Sequence, residues 1–451
     1  TLFGLDGTDL AASANWEGGV LEFSKLSAAD LGGTSFDAKL TAFGTLAKPE
    51  LSGNGTLKVE DGAPAVAQIL KSISTPPAVA EFLTRSLPAT LAFQLDAPSG
   101  DGGQVLNVTG KLATADTKFE AKLGAGIASA LTAPIAAKLE MQSDAALLLT
   151  RQLGLGVSPL FGDGTSLHLA ASVDGAPSSS YQTVVSLQGG DDHLVFTGNV
   201  VPGDFTKIGG SGQIDVKLSD PSVLAEALGA GGLYLPTVEG KADIEFDGAD
   251  SLSLSRIDAG GASGELALVR HDGKASVSGT LTVPPFDVHA LLPALAGAAS
   301  TVATSDSVWP QGPIDIGSTP RSRDGRIAVP PAVVTHGGAP LLKDASFGFD
   351  WDAQNVHLRN LSGAAGGGTM SLDATVCCSS AALPLKQVSG RVIMSGVALD
   401  AVAPAPIAAG LDGTLSGAAE FNGSGETLGQ AIEAMTGSGS YTVTGFSAAQ
   451  S

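Results

Sequence analysis

The stretch Gly410-Leu-Asp-Gly-Thr-Leu-Ser-Gly-Ala-Ala-Glu-Phe-Asn-Gly-Ser-Gly-Glu-Thr-Leu-Gly-Gln-Ala-Ile-Glu-Ala-Met-Thr-Gly-Ser-Gly-Ser-Tyr-Thr-Val443 reads as three pieces. Leu415 to Phe421 has the short, turn-bounded look of a strand. Gly423 and Gly425 predict a turn. Glu426 then opens a short helix with Leu428, Ile432 and Met435 on one face. Gly437 to Gly439 predict a second turn, which returns the chain to a strand at Tyr441 and Val443. Strand, short helix and strand, punctuated by glycine, is the unit that the rest of the chain repeats in looser form.

Outward from this stretch, strict alternation recurs. Phe36, Ala38 and Leu40 alternate with Asp37, Lys39 and Thr41. Ile214, Val216 and Leu218 alternate with Asp215, Lys217 and Ser219, and Ala242, Ile244 and Phe246 with Asp243, Glu245 and Asp247. Val277, Leu281 and Val283 share a side, as do Phe347, Phe349 and Trp351, and Met370, Leu372, Ala374 and Val376. A period of two puts each set on one face of a strand. One apolar and one wet face is the mark of antiparallel sheet.

Asp-Gly occurs at Asp6, Asp61, Asp101, Asp163, Asp174, Asp247, Asp272, Asp324 and Asp412, and most of these suit hairpin turns rather than calcium ligation. Helices are expected at Pro64–Leu70, Ala78–Leu87, Ala145–Leu153, Ser222–Leu228 behind Asp220-Pro221, and Val288–Leu295 behind Asp287. Each follows an alternating run, giving a degenerate repeat of strands plus a short helix. Residues 1–300 form this repetitive region, 301–324 a proline-containing junction, and 325–451 a C-terminal region.

The formal net charge of -21 argues against nucleic-acid binding, since no phosphate-neutralising face is available. The hydrophobic content of 43% argues against disorder. No window is apolar for the roughly 20 residues that a membrane-crossing helix needs; the best, Ala290 to Ala303, is broken by Pro293. The chain opens inside a strand-like phrase, Thr1-Leu-Phe-Gly-Leu, and is expected to be a piece of something longer. Cys377 and Cys378 are adjacent and point to opposite faces of a strand, so an ordinary disulfide between them would be strained. Cys378 reads as a small apolar filler and Cys377 as exposed. A disulfide framework is not expected, and this does not settle the compartment.

Gly413, Gly417, Gly423, Gly425, Leu411, Leu428, Gly437 and Gly439, with Val397-Ala-Leu-Asp-Ala-Val before them, resemble the C-terminal conserved region of the AsmA family of bacterial envelope proteins. Trp309-Pro-Gln-Gly-Pro-Ile-Asp-Ile and Ala364-Ala-Gly-Gly-Gly-Thr-Met-Ser-Leu look like that family too. The resemblance covers the last third specifically and the remainder by texture, and it departs from the family in lacking an N-terminal membrane anchor. It implies a periplasmic protein, similar to the bridge-like lipid transfer proteins, whose parent is held in the inner membrane. It also implies phospholipid transport between inner and outer membrane, or outer-membrane homeostasis, with membrane proteins at the two ends.

The expected architecture is therefore mainly β: an elongated, curled antiparallel sheet forming an apolar groove, with a few short helices after strand runs. The helices are too few to cover so much one-sided sheet, so the apolar face must meet a second sheet, its own closure, or lipid chains. Positions expected to line a groove are Phe36, Leu40, Ile214, Val216, Leu218, Ile244, Phe246, Leu281, Val283, Phe347, Phe349, Met370 and Leu372. For the Phe347, Phe349, Trp351 stripe, channel lining and core filling stay equally open. Phospholipid acyl chains are the expected partner.

No chemistry stands out. His168, His193, His271, His289, His336 and His357 are scattered, and no pair has metal-ligand spacing along the sequence. His168 and His357 read as solvated. A nucleophile elbow and a phosphate loop are both missing, so no catalytic residue, metal or cofactor is expected. Arg321 and Arg323 beside Asp324 read as a solvated loop, with a lipid headgroup contact as the alternative. A passive structural or adhesin-like β-repeat protein with a protein-filled core remains the competing reading; an enzyme with an unseen site is a third.

Overall fold

The alternation is realised as strand pairing: strands make up 64% of the chain and helices 14% in a computed structural model. The structure describes all residues except 1–4, 46–47, 73–74, 76, 100–101, 131, 155–164, 203–206, 228–236, 249, 272–273, 303–309, 317–320, 379–384, 404–407, 409 and 449–451. Most of the strands are paired side by side in sheet. The chain divides into two compact units, Thr1–Ser219 with Asp243–Ala249, and Asp220–Ala242 with Asp250–Ser451.

The first unit begins with β1 (Gly7–Thr8), β2 (Ala11–Glu17), β3 (Val20–Ala28), β4 (Asp30–Leu31), β5 (Thr34–Thr45) and β6 (Lys48–Val59). Helices α1 (Pro64–Ser72) and α2 (Pro77–Arg85) follow. Each starts on proline, whose missing N–H costs nothing at a helix start, and carries a basic residue, Lys71 or Arg85, in its last turn. Then come β7 (Ala89–Leu95), β8 (Gln104–Leu112), β9 (Ala115–Leu123), β10 (Ile135–Ser143), α3 (Ala146–Gln152), β11 (Leu167–Gly175), β12 (Tyr181–Gly189), β13 (Asp192–Val201) and β14 (Gly209–Leu218). Consecutive long strands from β2 to β14 pair antiparallel, while β1 and β4 form a separate small pair.

The second unit starts with α4 (Ser222–Ala227), where Asp220 accepts a hydrogen bond from the Ser222 N–H at 3.0 Å, as Asp220-Pro221 predicts. Next are β15 (Val238–Asp247), whose last residues count with the first unit, then β16 (Ser251–Ala259), β17 (Ala262–His271), β18 (Lys274–Thr282), β19 (Phe286–Asp287) and α5 (Leu291–Ala296). They are followed by β20 (Asp324–His336), β21 (Ala339–Trp351), β22 (Asn355–Ala365), β23 (Gly368–Cys377), β24 (Lys386–Ala398), α6 (Leu399–Val402), β25 (Leu411–Gly425), α7 (Leu428–Glu433) and β26 (Thr436–Ala448).

The sequence predicts a degenerate repeat of strands plus a short helix; in the structure its length is four long strands, in the order β2, β3, β5, β6; β7 to β10; β11 to β14; β15 to β18. An even number of antiparallel strands returns the chain to the same end, which is why α1 to α3 gather at one end of their strands. The pattern breaks after β18, which pairs with β20 in parallel, Val277 opposite Gly325 and Gly279 opposite Ile327. A parallel pair needs a crossover. The crossover here holds β19, α5 and the described part of the proline-containing junction, and its Leu291, Leu295, Ile314 and Ile316 pack on Val334, Leu342, Trp351, Val356 and Leu358 as the second unit's core.

The glycines of the opening stretch do not make turns. Gly423 and Gly425 lie within β25, and Gly437 and Gly439 within β26. A Cβ at Gly423 would run into the Ala431 carbonyl, and one at Gly437 into the Glu420 carbonyl. These glycines admit close approach of α7 and of the neighbouring strand. The cap of α7 is Thr427, whose Oγ1 accepts from the Gln430 N–H at 3.1 Å, and not Glu426. Leu428 is buried as expected, while Met435 is 37% exposed.

Asp-Gly is also mostly not a hairpin signal here. Asp247 fits the expectation, ending β15 ahead of the turn residue Gly248 (φ 61°) and β16. But Asp324 and Asp412 start or enter strands, Asp174 ends one, Asp6 precedes β1 and Asp61 precedes α1, and Asp101, Asp163 and Asp272 lie outside the described residues. Two-residue hairpins fall on Gly-Gly, for example Gly260-Gly261 and Gly337-Gly338, with φ of 58° and 81°, and 58° and 83°. A turn with positive φ at both central residues is met most cheaply by two residues without Cβ.

Cys377 and Cys378 are joined to one another, contrary to the filler and exposed-thiol readings. Arg321 is buried, not solvated. Its guanidinium donates to the carbonyls of Ile316 at 2.6 Å, Asp352 at 3.3 Å and Asn355 at 3.4 Å. Burial lowers its pKa, with the nearby Asp352 carboxylate acting the other way.

Candidate functional site

Pairing register brings the apolar positions of the first unit into line. Leu26 stands opposite Ala38, Ala38 opposite Gly55, Gly55 opposite Phe93, Phe93 opposite Val108 and Val108 opposite Phe119. The row runs on from Phe119 to Leu139, Ala171, Val185, Phe196 and Ile214. No charged or polar side chain interrupts it. Ten steps at about 4.8 Å make it roughly 48 Å long. Apart from Ala38, every member is half-buried.

The rows on either side are sealed in their middle strands and half-buried elsewhere, as at Phe36, Leu57, Leu91, Leu106 and Val173. Toward the helices, Met141, Leu169, Leu187 and Val216 are buried, and beyond them Ala115, Leu167 and Leu218. Helix α3 supplies fully buried Leu149 to that end; burying one leucine stabilises by about 1.5–3 kcal/mol. Toward the other end, Leu95, Ala121, Leu123 and Ala137 form a cluster with Ile127 of the short turn Ile127–Ser129. Gln104 ties that turn down, accepting from the Ile127 N–H at 2.8 Å and donating to the Leu51 carbonyl at 2.7 Å. The arrangement is a strip of accessible apolar surface whose flanks are packed from β9 to β12 toward the helices and at β7, β9 and β10 toward the other end. On the reverse face Lys118 faces Glu140 and Lys138 faces Glu120, opposite charges across a solvated ladder.

The expected lining positions distribute over these rows. Phe36 and Leu40 are half-buried, opposite Leu57 and Gly53. Ile214 belongs to the central strip, Val216 is 9% exposed, and Leu218 is fully enclosed by protein. Phe246 meets Phe196 edge-on with ring centroids 6.1 Å apart, and Ile244 is half-buried on the same strand. Leu281 lies opposite Gly264, and Val283 sits just past the end of β18.

In the second unit Phe347, Phe349, Met370 and Leu372 pack partly buried against the crossover-filled core, and Trp351 is 3% exposed within it. Beyond that core a cavity of about 800 Å³ opens on the same face of β24, β25 and β26, lined by Val392, Met394, Leu415, Phe421, Tyr441 and Val443. All described residues of β26 are exposed, Tyr441 by 78% and Phe446 by 62%.

Two polar groupings complete the picture. On the second unit's wet face Asp350 accepts from Arg359 Nε at 2.9 Å and Arg326 Nη2 at 3.1 Å. His357, read as solvated from the sequence, is 15% exposed; its Nδ1 is 2.9 Å from Thr375 Oγ1 and its Nε2 3.5 Å from Asp352. Desolvation raises the Asp352 pKa, but hydrogen bonds from Asn355, the Gln354 and Asn355 N–H groups and His357 outweigh it and hold the value at about 2.

The other grouping was invisible in the sequence. Asp287, His289 and His336 each place a donor atom within 4.8 Å of the other two. Asp287 Oδ1 is 2.6 Å from His289 Nδ1, and the two imidazoles lie 5.1 Å apart. The Asp287 carboxyl is held below its ordinary range, first by the His289 N–H and its side chain, with the Gly337 N–H adding to this. The local signal was Asp287-x-His289; the third member arrives only through strand pairing.

No protein-family model, curated protein or solved structure matches the chain.

Proposed function

We propose that this chain is a lipid-conducting β-protein of the cell envelope, whose sheet offers phospholipid acyl chains an apolar track. The observation that carries this reading is the uninterrupted central strip from Leu26 to Ile214, half-buried throughout except at Ala38 and packed on both flanks around β9 and β10. An acyl chain crossing water exposes methylenes at about 0.8 kcal/mol each. A strip of Phe, Val, Leu and Ile lowers that cost without catalysis or cofactor. The polar reverse face and the acidic balance keep such a molecule soluble. On this reading the curled groove, the periplasmic location, membrane proteins at the ends, and an AsmA-like role between inner and outer membrane belong together.

The test is native mass spectrometry of the purified chain with lipid extraction. Copurified phospholipid is expected, and its loss when Phe119→Glu or Leu139→Glu is introduced. A chain that is lipid-free when isolated from membrane-containing cells, and takes up no phospholipid from vesicles, overturns the proposal. The second reading, a structural β-protein with no cargo, draws support from the second unit, where Ile314, Ile316 and Trp351 fill the apolar face with side chains.

A further inference from the structure

We propose that Asp287, His289 and His336 form a binding site for a divalent transition-metal ion, with zinc the ion their chemistry suits best. The three residues come from two segments that pairing holds in fixed register. β19 lies parallel to the end of β20, Phe286 opposite Val334 and Asp287 opposite Thr335, and Thr335 Oγ1 donates to the Phe286 carbonyl at 3.2 Å. His336 therefore arrives beside Asp287 by backbone geometry, at the mouth of the Gly337-Gly338 turn.

The carboxylate is already oriented. Asp287 Oδ1 accepts from the His289 N–H at 3.0 Å and Oδ2 from the Gly337 N–H at 3.0 Å. Such outer hydrogen bonds hold metal ligands in place, and they leave Oδ2 a further lone pair for an ion. The Asp287–His289 contact at 2.6 Å accounts for two members as an ordinary capping pair. It does not account for the second imidazole brought to 5.1 Å from the first.

Two imidazoles and one carboxylate favour zinc, copper or nickel over the hard cations, which prefer all-oxygen shells. Zinc takes nitrogen and oxygen ligands at about 2.0–2.2 Å in tetrahedral array. Donor atoms no more than 4.8 Å apart reach that array by side-chain rotation, and both imidazoles are exposed. Three protein ligands leave the fourth position to water. An ion here would pin β19 and the turn after β20 together, whether or not the apolar strip carries lipid.

The experiment is calorimetric titration of the intact, chelator-treated chain with Zn2+ alone, with Co2+ absorption to report coordination. One equivalent is expected, together with the visible bands of a four- or five-coordinate cobalt site. His336→Gln and His289→Gln are each expected to weaken binding at least tenfold, in line with the loss of a ligand. His168→Gln, on the first unit, leaves binding unchanged. Asp287 also caps the turn Val288–Ala290, so the histidine variants, checked by their melting curves, carry the decision. No binding at roughly 100 µM Zn2+, or a folded His336→Gln chain that binds as the parent does, overturns the site.

Discussion

Phe119 stands directly opposite Leu139 across β9 and β10, and both remain half-buried although the residues flanking them along each strand, Thr117 and Ala121, Ala137 and Met141, are buried. This pair marks the middle of the accessible strip. Leu139→Glu is expected to remove bound phospholipid while costing little stability, because neither the wild-type nor the substituted side chain is enclosed. Glu140→Gln, on the reverse face, is expected to leave bound lipid unchanged. Phosphate analysis of extracted lipid and the thermal melt of each variant check both statements.

Gly423 has a different role from the one its sequence context suggests. Since a Cβ there meets the Ala431 carbonyl, Gly423→Val is expected to push α7 off the sheet. The cost should be about 2–4 kcal/mol, in the range of overpacking combined with lost burial of Leu428 and Ala431. Urea unfolding measures it. A variant as stable as the parent would mean that α7 does not depend on this contact.

Asp350 is 6% exposed and receives two guanidinium groups, while Arg326 and Arg359 are 74% and 50% exposed at the side chain. The asymmetry predicts unequal effects. Asp350→Ala should destabilise by about 2 kcal/mol, because two cations lose one shared acceptor. Arg326→Ala should cost no more than about 1 kcal/mol, as for an exposed ion pair. Equal losses in denaturant melts would contradict the assignment of Asp350 as the central member.

The Asp352 carboxyl gives a pH dependence with a definite sign. Its folded pKa of about 2 lies below the ordinary value near 3.8, so its contribution to stability is complete above about pH 4. It is lost as the pH falls from 4 to 2. The group is 44% exposed at the side chain, so solvent screening limits the effect to about 1 kcal/mol. Comparison of wild-type and Asp352→Asn melts should show the difference at pH 5 and its disappearance near pH 2.

The strands and helices were legible because they rest on local periodicity. Alternation in Phe36 to Thr41 or Ile214 to Ser219 needs only the two-residue repeat of an extended chain, and the sheet follows. Asp220-Pro221 is likewise a local capping signal, and α4 starts behind it. The helices fell after strand runs as expected. That the repeat is four strands long emerged only once the strand boundaries were visible, since glycine-rich strands such as β25 and β26 carry weak alternation.

Glycine misled where the sequence offered two meanings for it. Gly437 and Gly439 sit inside β26 for want of room against β25, and no local rule distinguishes that from a turn. Arg321 read as solvated because its acceptors, the carbonyls of Ile316, Asp352 and Asn355, come from the crossover and from the distant turn between β21 and β22.

By itself, then, the sequence determined a mainly β chain with one apolar and one wet face, an acidic surface and short helices after strand runs. These depend on periods and caps a few residues long. Tertiary structure alone decided which apolar residues align into the strip from Leu26 to Ile214, which are sealed beneath α3 or the crossover, and that His336 meets Asp287 and His289. Register and the parallel pairing of β18 and β19 with β20 set those outcomes. Register is a property of two strands at once, and neither strand encodes it alone.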